Sequence, residues 1–203
     1  MRYVELHCRS NFSFLSAASH PEELVSEAYA RGYDGLALTD ECSLAGVVRA
    51  HQSAKEHGLP LLIGTELHTD NGPDVVLLAT NRNTYGNLSA LISQARRNAP
   101  KGQYHLQARS LADVSGCVAL WLPGRQPRLQ HGQFLRECFS DRLRLAVTLK
   151  RHAGDQQHLL QAQSLAHALD VPLVAAGDVR MHVPARRPIL DVLQAVHAGT
   201  TVA

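Results

Sequence analysis

The sequence predicts an α/β fold. Short apolar runs alternate with stretches of helical spacing along all 203 residues. Helix-starting and helix-stopping residues stand between those runs, and no internal repeat, low-complexity segment or linker interrupts them. Hydrophobic residues make up 45% and charged residues 19%, the balance of an ordinary folded protein with enough chain for one sizeable core.

Taken in order, residues 3–6 read as a first strand. Ser19 with Glu22 three places on has the form of a capping box, and Pro21 suits a first helical turn. Leu24, Val25, Ala28 and Tyr29 then recur at helical spacing up to Gly32, a residue suited to the left-handed end of a helix. Residues 35–39 predict a second strand and 43–57 a second helix, ended by Gly58. Strands follow at 59–63 and 75–79, then a helix at 84–96. Residues 98–110 lack a period and read as loop. After an apolar run at 117–122, Pro123, Gly124 and Pro127 break the chain. Residues 142–149 alternate like a strand. Asp155 is placed to cap a helix whose face is Leu159, Ala162, Ala166 and Leu169. A last strand at 171–176 and a last helix at 189–198, entered between Pro184 and Pro188, complete the pattern. Periodicity alone fits either a (β/α) barrel or an open doubly wound sheet.

Several function classes are excluded. A net charge of +2 and small basic pairs (Arg96-Arg97, Arg186-Arg187) lack the basic excess of a duplex-binding surface. The four cysteines form no CxxC pair, which removes zinc ribbons and thioredoxin-like chemistry and suits a reducing cytoplasm. Neither a phosphate-cradling glycine loop nor a G-x-S-x-G elbow occurs. The N-terminal residues lack the form of a signal peptide. No apolar run reaches the ~20 residues that cross a bilayer, so a cytoplasmic protein without membrane contact is expected.

Polar residues gather at strand ends: His7 after the first, Asp40 and Glu41 after the second, Glu66 after the third, and Asp178 after the last. Barrel enzymes build their sites there, and these side chains ligate zinc and manganese. Taken singly, Asp40 and Asp178 read equally as caps of the helices that follow, and His7 as a hydrogen-bonded structural residue. The pair His51 and His57 is six apart and shares no helix face, and His105, His131, His152, His158 and His167 are scattered.

Read together, the segments ELHCRSNFSFL, ASHPEELVSEAYARGYDGLALTDECSLAGVVRAH and PLLIGTEL, with VVLLATNRNTYGNLSALIS, FSDRLRLAV and LDVPLVAAGDVRMH later, resemble a known family. They are similar to the PHP domain (polymerase and histidinol phosphatase) that opens bacterial DnaE-type polymerases, the DNA polymerase III alpha family. LTDECSLAG and GDVRMH look most like its error-prone ImuC branch. The resemblance runs from about residue 3 to 202 and implies a distorted seven-stranded (β/α) barrel of the PHP type. It implies one PHP domain over residues 1–203, the N-terminal part of a longer polymerase.

In active members a metal cluster at the barrel mouth hydrolyses phosphoesters. On the resemblance, this chain departs from that pattern at most positions. The opening His-x-His is His7-Cys8-Arg9. The next ligand falls at Ser16, and the histidine of T-D-H is Glu41. Glu66 is kept, a fourth-strand histidine is Asp74, and the position after the 117–122 run falls at Pro123 or Gly124. Asp178 is kept, the histidine two places on is Arg180, and His182 lies two beyond. Only His7, Glu66 and Asp178 match as ligands. A guanidinium has no lone pair for a metal, so no metal is expected here. Arg9 and Arg180 are expected to neutralise Glu41, Glu66, Asp74 and Asp178 instead.

The resemblance thus implies a catalytically inactive scaffold within an error-prone polymerase of damage-induced mutagenesis and translesion synthesis. Mg²⁺ would serve the polymerase domain of the longer protein. DNA, an ImuB-type protein and the sliding clamp would be the partners. The alternatives are a metal-dependent phosphoesterase or 3′–5′ exonuclease with a reduced site, and a stand-alone metabolic phosphatase.

Overall fold

A computed structural model describes residues 2–124 and 126–202. Its elements are β1 (Val4–Cys8), α1 (Pro21–Ala30), β2 (Gly35–Leu38), α2 (Val47–His57), β3 (Leu61–Leu67), β4 (Asp74–Leu78), α3 (Arg82–Arg97), β5 (Val118–Leu122), α4 (Leu129–Phe139), β6 (Leu143–Val147), α5 (Asp155–Leu169), β7 (Leu173–Ala175) and α6 (Arg187–Ala198). The seven strands lie in chain order. This is the α/β order of a (β/α) barrel, as expected, with β4 antiparallel to β5. The chain divides into two compact units: residues up to Thr65 with those from Gly177 onward, and Glu66–Ala176.

In the first unit β1, β2 and the start of β3 pair in parallel, with Val4 opposite Gly35 and Leu36 opposite Leu61. Helices α1 and α2 cover them, burying Leu24, Val25 and Ala28 of α1 and Ala50 and Ala54 of α2 against Cys8, Leu36 and Leu38. The capping box falls one residue later than predicted. The His20 N–H donates to Glu23 Oε2 at 2.8 Å, because Ser19 Oγ is occupied by the His182 N–H at 2.9 Å. Gly58 ends α2 at φ 68°, as the sequence indicated. That helix starts at Val47 rather than Ser43, whose hydroxyl instead accepts the Ala45 N–H in a local turn. Past Gly177 the chain returns to β1. Cys8 and Val179 form a parallel bridge, flanked by Val179 N to His7 O and Arg9 N to Val179 O, both 2.9 Å.

In the second unit β4 pairs antiparallel with β5, and β5, β6 and β7 run parallel. Only residues 68–73 join β3 to β4. That is too short for the helical crossover a parallel neighbour needs. The Asn81 side chain caps α3 by accepting the Thr84 N–H at 3.0 Å. Trp121, Phe139, Leu77, Leu88, Leu111, Leu120, Leu135, Leu143 and Leu145 are fully buried and form the core.

Helix α4 stands where the sequence indicated only chain breaks. Pro127 precedes it and Gly132 lies inside it, which hid its period. The glycine serves close packing: a Cβ there would lie 2.6 Å from the Trp121 ring. The stretch read as loop ends in a 3₁₀ helix, Ala108–Val114. Asp155 sits inside the first turn of α5 and Gly154 takes the cap position. Strand β7 keeps three residues of the six predicted.

Candidate functional site

The bridge between Cys8 and Val179 fixes the chemistry of the first unit. Alternate residues of an extended chain share a face. Cys8 turns into the hydrophobic core, so His7 and Arg9 point the other way, flanking the bridge as Asp178 and Arg180 do. Arg9 Nη2 donates to Asp178 Oδ1 at 2.8 Å. Arg180 donates from Nε to Oδ1 at 3.3 Å and from Nη2 to Oδ2 at 3.2 Å. His7 Nε2 stands 4.0 Å from the same Oδ1. Asp178 adopts φ 48°, a left-handed backbone that aspartate tolerates better than most residues. One carboxylate therefore sits between two guanidiniums, and Arg9 is only 4% exposed.

Beneath this lies Glu5, which the sequence reading did not single out. It is buried and accepts from the Tyr3 hydroxyl at 2.8 Å, the His7 N–H at 2.9 Å and the Gly177 N–H at 2.8 Å. Burial, with Glu5 beside it, pushes the Tyr3 phenol well above its ordinary value, so it stays a donor. A Cβ at Gly177 would come within 2.3 Å of Glu5 Oε2, which accounts for glycine there.

Asp40 does not cap a helix. Its buried carboxylate accepts the Ser10 N–H at 2.7 Å, Ser10 Oγ at 2.8 Å and Ser13 Oγ at 2.7 Å. It ties the loop after β1 to the end of β2. Burial raises its carboxyl against the pull of those hydroxyls. The Glu41 N–H joins this knot through Ser13 Oγ at 2.9 Å, and Ser16 Oγ donates to Ser13 O at 3.0 Å. Asp178 does not cap α6 either, which begins at Arg187. His182 belongs to a separate group: its Nδ1 lies 2.8 Å from Ser19 Oγ and 3.7 Å from Glu23 Oε2, and Glu23 also pairs with Arg186.

In the second unit Glu66 and Asp74 meet through His68, a residue absent from the predicted site. His68 Nε2 lies 3.2 Å from Glu66 Oε1, and its Nδ1 3.0 Å from Asp74 Oδ1. Hydrogen bonds to Asp74 and then Glu66 hold its pKa at about 10 against burial. At neutral pH it is an imidazolium bridging two carboxylates. Glu66 and His68 are two apart near the end of β3, and Asp74 opens β4. That i, i+2 spacing before a short turn was the available signal. Gly124, at the position with no ligand equivalent, lines a cavity of about 660 Å³ with Thr148, Lys150, His152 and His158.

The donor set does not suit a divalent ion. Both oxygens of Asp178 face guanidinium cations, and Glu66 and Asp74 face an imidazolium. Among the described residues no group of three or more His, Cys, Asp or Glu comes together to hold a metal.

The strand order and its alternation with helices are those of a PHP-type α/β fold. The chain belongs to the PHP domain family, which matches residues 5–159. It is similar to the error-prone DNA polymerase of Dechloromonas aromatica (strain RCB), 52% identical over 98% of this chain and 20% of that protein. It is also similar to the error-prone DNA polymerase of Pseudomonas savastanoi pv. phaseolicola, 48% identical over 99% of this chain and 20% of the relative. The chain thus spans about a fifth of the length of the curated relatives it matches. Among solved structures it resembles a Bifidobacterium adolescentis protein described as a metal-dependent phosphoesterase, with TM-score 0.62, 18% identity and 88% of each chain covered. An amidohydrolase from Chromobacterium violaceum, solved with sulfate and no metal, gives TM-score 0.60 at 17% identity over 88% of this chain and 87% of that one. At these identities the two structures show a shared fold.

Proposed function

We propose that this chain is the catalytically silent PHP domain of an error-prone DNA polymerase of the ImuC branch. Residues 1–203 would act as one N-terminal domain that stabilises the longer protein during damage-induced mutagenesis and translesion synthesis. The observation that carries the reading is Asp178 held between Arg9 and Arg180. Aspartate at this place would bind a cation in an active relative. Here two fixed cations engage both its oxygens, and a guanidinium neither ligates a metal nor gives up its charge. Removing a metal without such replacement would leave a buried carboxylate uncompensated, at a cost of several kcal/mol.

The names of the relatives support the polymerase assignment for the longer protein. Its Mg²⁺-dependent nucleotide transfer would reside beyond residue 203, and DNA, an ImuB-type protein and the sliding clamp would be its partners. No described helix is long and apolar enough to cross a membrane.

Elemental analysis of the purified chain tests the silent domain directly. We expect zinc and manganese far below one ion per chain and no nuclease activity when either metal is added. A stoichiometric ion, together with Mn²⁺-stimulated hydrolysis that Glu66→Ala and Asp178→Ala abolish, would establish the reduced phosphoesterase or exonuclease instead.

A further inference from the structure

Helix α6 turns an apolar face outward. Ile189, Val192, Leu193 and Val196 fall on one arc of about 100° in a 12-residue helix, at the i, i+3, i+4, i+7 spacing of a buried face. Yet Ile189 is 44%, Val192 52% and Val196 61% exposed, and Leu190, off that arc, is the residue that anchors the helix to its own unit. Exposed apolar residues elsewhere, such as Val48 on α2 and Leu160 on α5, stand alone on their helices, and single ones are ordinary. A contiguous stripe marks a surface that something covers. Beside it the charged groups are already satisfied: Arg187 Nε pairs with Asp191 Oδ1 at 2.7 Å and Arg186 with Glu23. The arc therefore offers apolar contact and little else.

We propose that the stripe of Ile189, Val192 and Val196 is the seat on which the polymerase portion of the longer chain docks. The proposal rests on the reading that this chain is the PHP domain of such a polymerase. Two observations select that occupant over a second copy of the domain. The relatives are five times as long as the matched region, so most of such a protein lies outside it. The stripe is also small. A helix of 12 residues is about 18 Å long, and three aliphatic side chains offer far less than the roughly 800 Å² per partner that a stable complex between separate molecules buries. Covalent attachment removes that requirement, because a tethered partner is present at an effective concentration of about millimolar.

Thiol labelling tests this. Val192→Cys and Val196→Cys, with Val48→Cys as control, are made both in the 203-residue chain and in the full-length polymerase, and each is treated with a maleimide under native conditions. In the short chain all three introduced thiols should react quickly. In the long chain those on α6 should slow by about tenfold or more, as protected core positions do, while the control keeps its rate. Equal reactivity of the α6 thiols in both proteins overturns the proposal. So does slow labelling already present in the short chain, whether a light-scattering mass shows a dimer or a monomer. Primer extension by the unsubstituted long chain separates the two readings. A protein that extends no primer sinks the polymerase assignment, whereas one that extends primers with both α6 thiols reactive sinks the docking alone.

Discussion

The two units meet the same electrostatic problem with different cations. In the first, Asp178 is flanked by Arg9 and Arg180, the former buried just past the end of β1. In the second, Glu66 and Asp74 share His68, whose side chain is 42% exposed. A guanidinium carries its charge at every working pH and is costly to strand once buried. An imidazolium near the surface is screened by water and can lose its proton. The first arrangement is therefore a fixed structural clamp and the second an adjustable one.

The largest effect should come from Arg9→Ala. It removes the buried guanidinium from Asp178 and leaves a polar hole beside β1, at a cost of about 3–5 kcal/mol in urea denaturation. A loss under about 1 kcal/mol would show that the clamp is not structural. Glu5→Ala removes an acceptor of three hydrogen bonds from the same unit, and we expect about 3 kcal/mol, since bonds to a buried charge are the strong ones. Arg180→Ala should cost only about 1 kcal/mol, because that side chain is 31% exposed. An effect equal to that of Arg9→Ala would make burial irrelevant to the comparison.

The smallest effect is expected from His68→Ala, about 0.5–1 kcal/mol after screening, and it alone should depend on pH. The folded pKa of His68 is about 10 against an ordinary 6.5. Its contribution is complete near pH 6 and disappears as pH rises through about 10. The stability gap between the parent chain and His68→Ala should close over that range. The gap for Arg9→Ala should hold steady across it, and parallel behaviour of the two would erase the distinction drawn between the clamps.

The alternation of apolar runs revealed the strands and most helices, because burial imposes period on sequence. Chemistry that does not impose period was harder to read. Helix α4 is hidden in the sequence because Gly132, which permits contact with Trp121, looks like a breaker out of context. Nothing in its local spacing marks Glu5, which accepts the N–H of Gly177 from a distant part of the chain. His68 carried a signal, lying two residues past Glu66 in an extended segment, but its partner Asp74 becomes visible only once the turn between β3 and β4 is known. Local spacing favours Ser19 as a cap, and a contact with His182 outweighs that spacing. Of the expected site, Arg9, Asp178 and Arg180 do come together. The grouping of Glu66 with Asp74 depends on a residue no ligand pattern would include.

The bond from the Gly177 N–H to Glu5 spans 172 residues. During synthesis at about 5–20 residues per second, the ribosome needs roughly 10–35 s to deliver the second partner after the first. The continuous segment Glu66–Ala176 has every one of its own strands in hand before then, whereas Glu5 of β1, served locally by Tyr3 and His7, still waits for its third donor. Nascent chains arrested short of residue 177 should consequently be protease-sensitive at their amino end while their middle resists digestion. Substitutions near Glu5 would then bear first on how much protein survives translation.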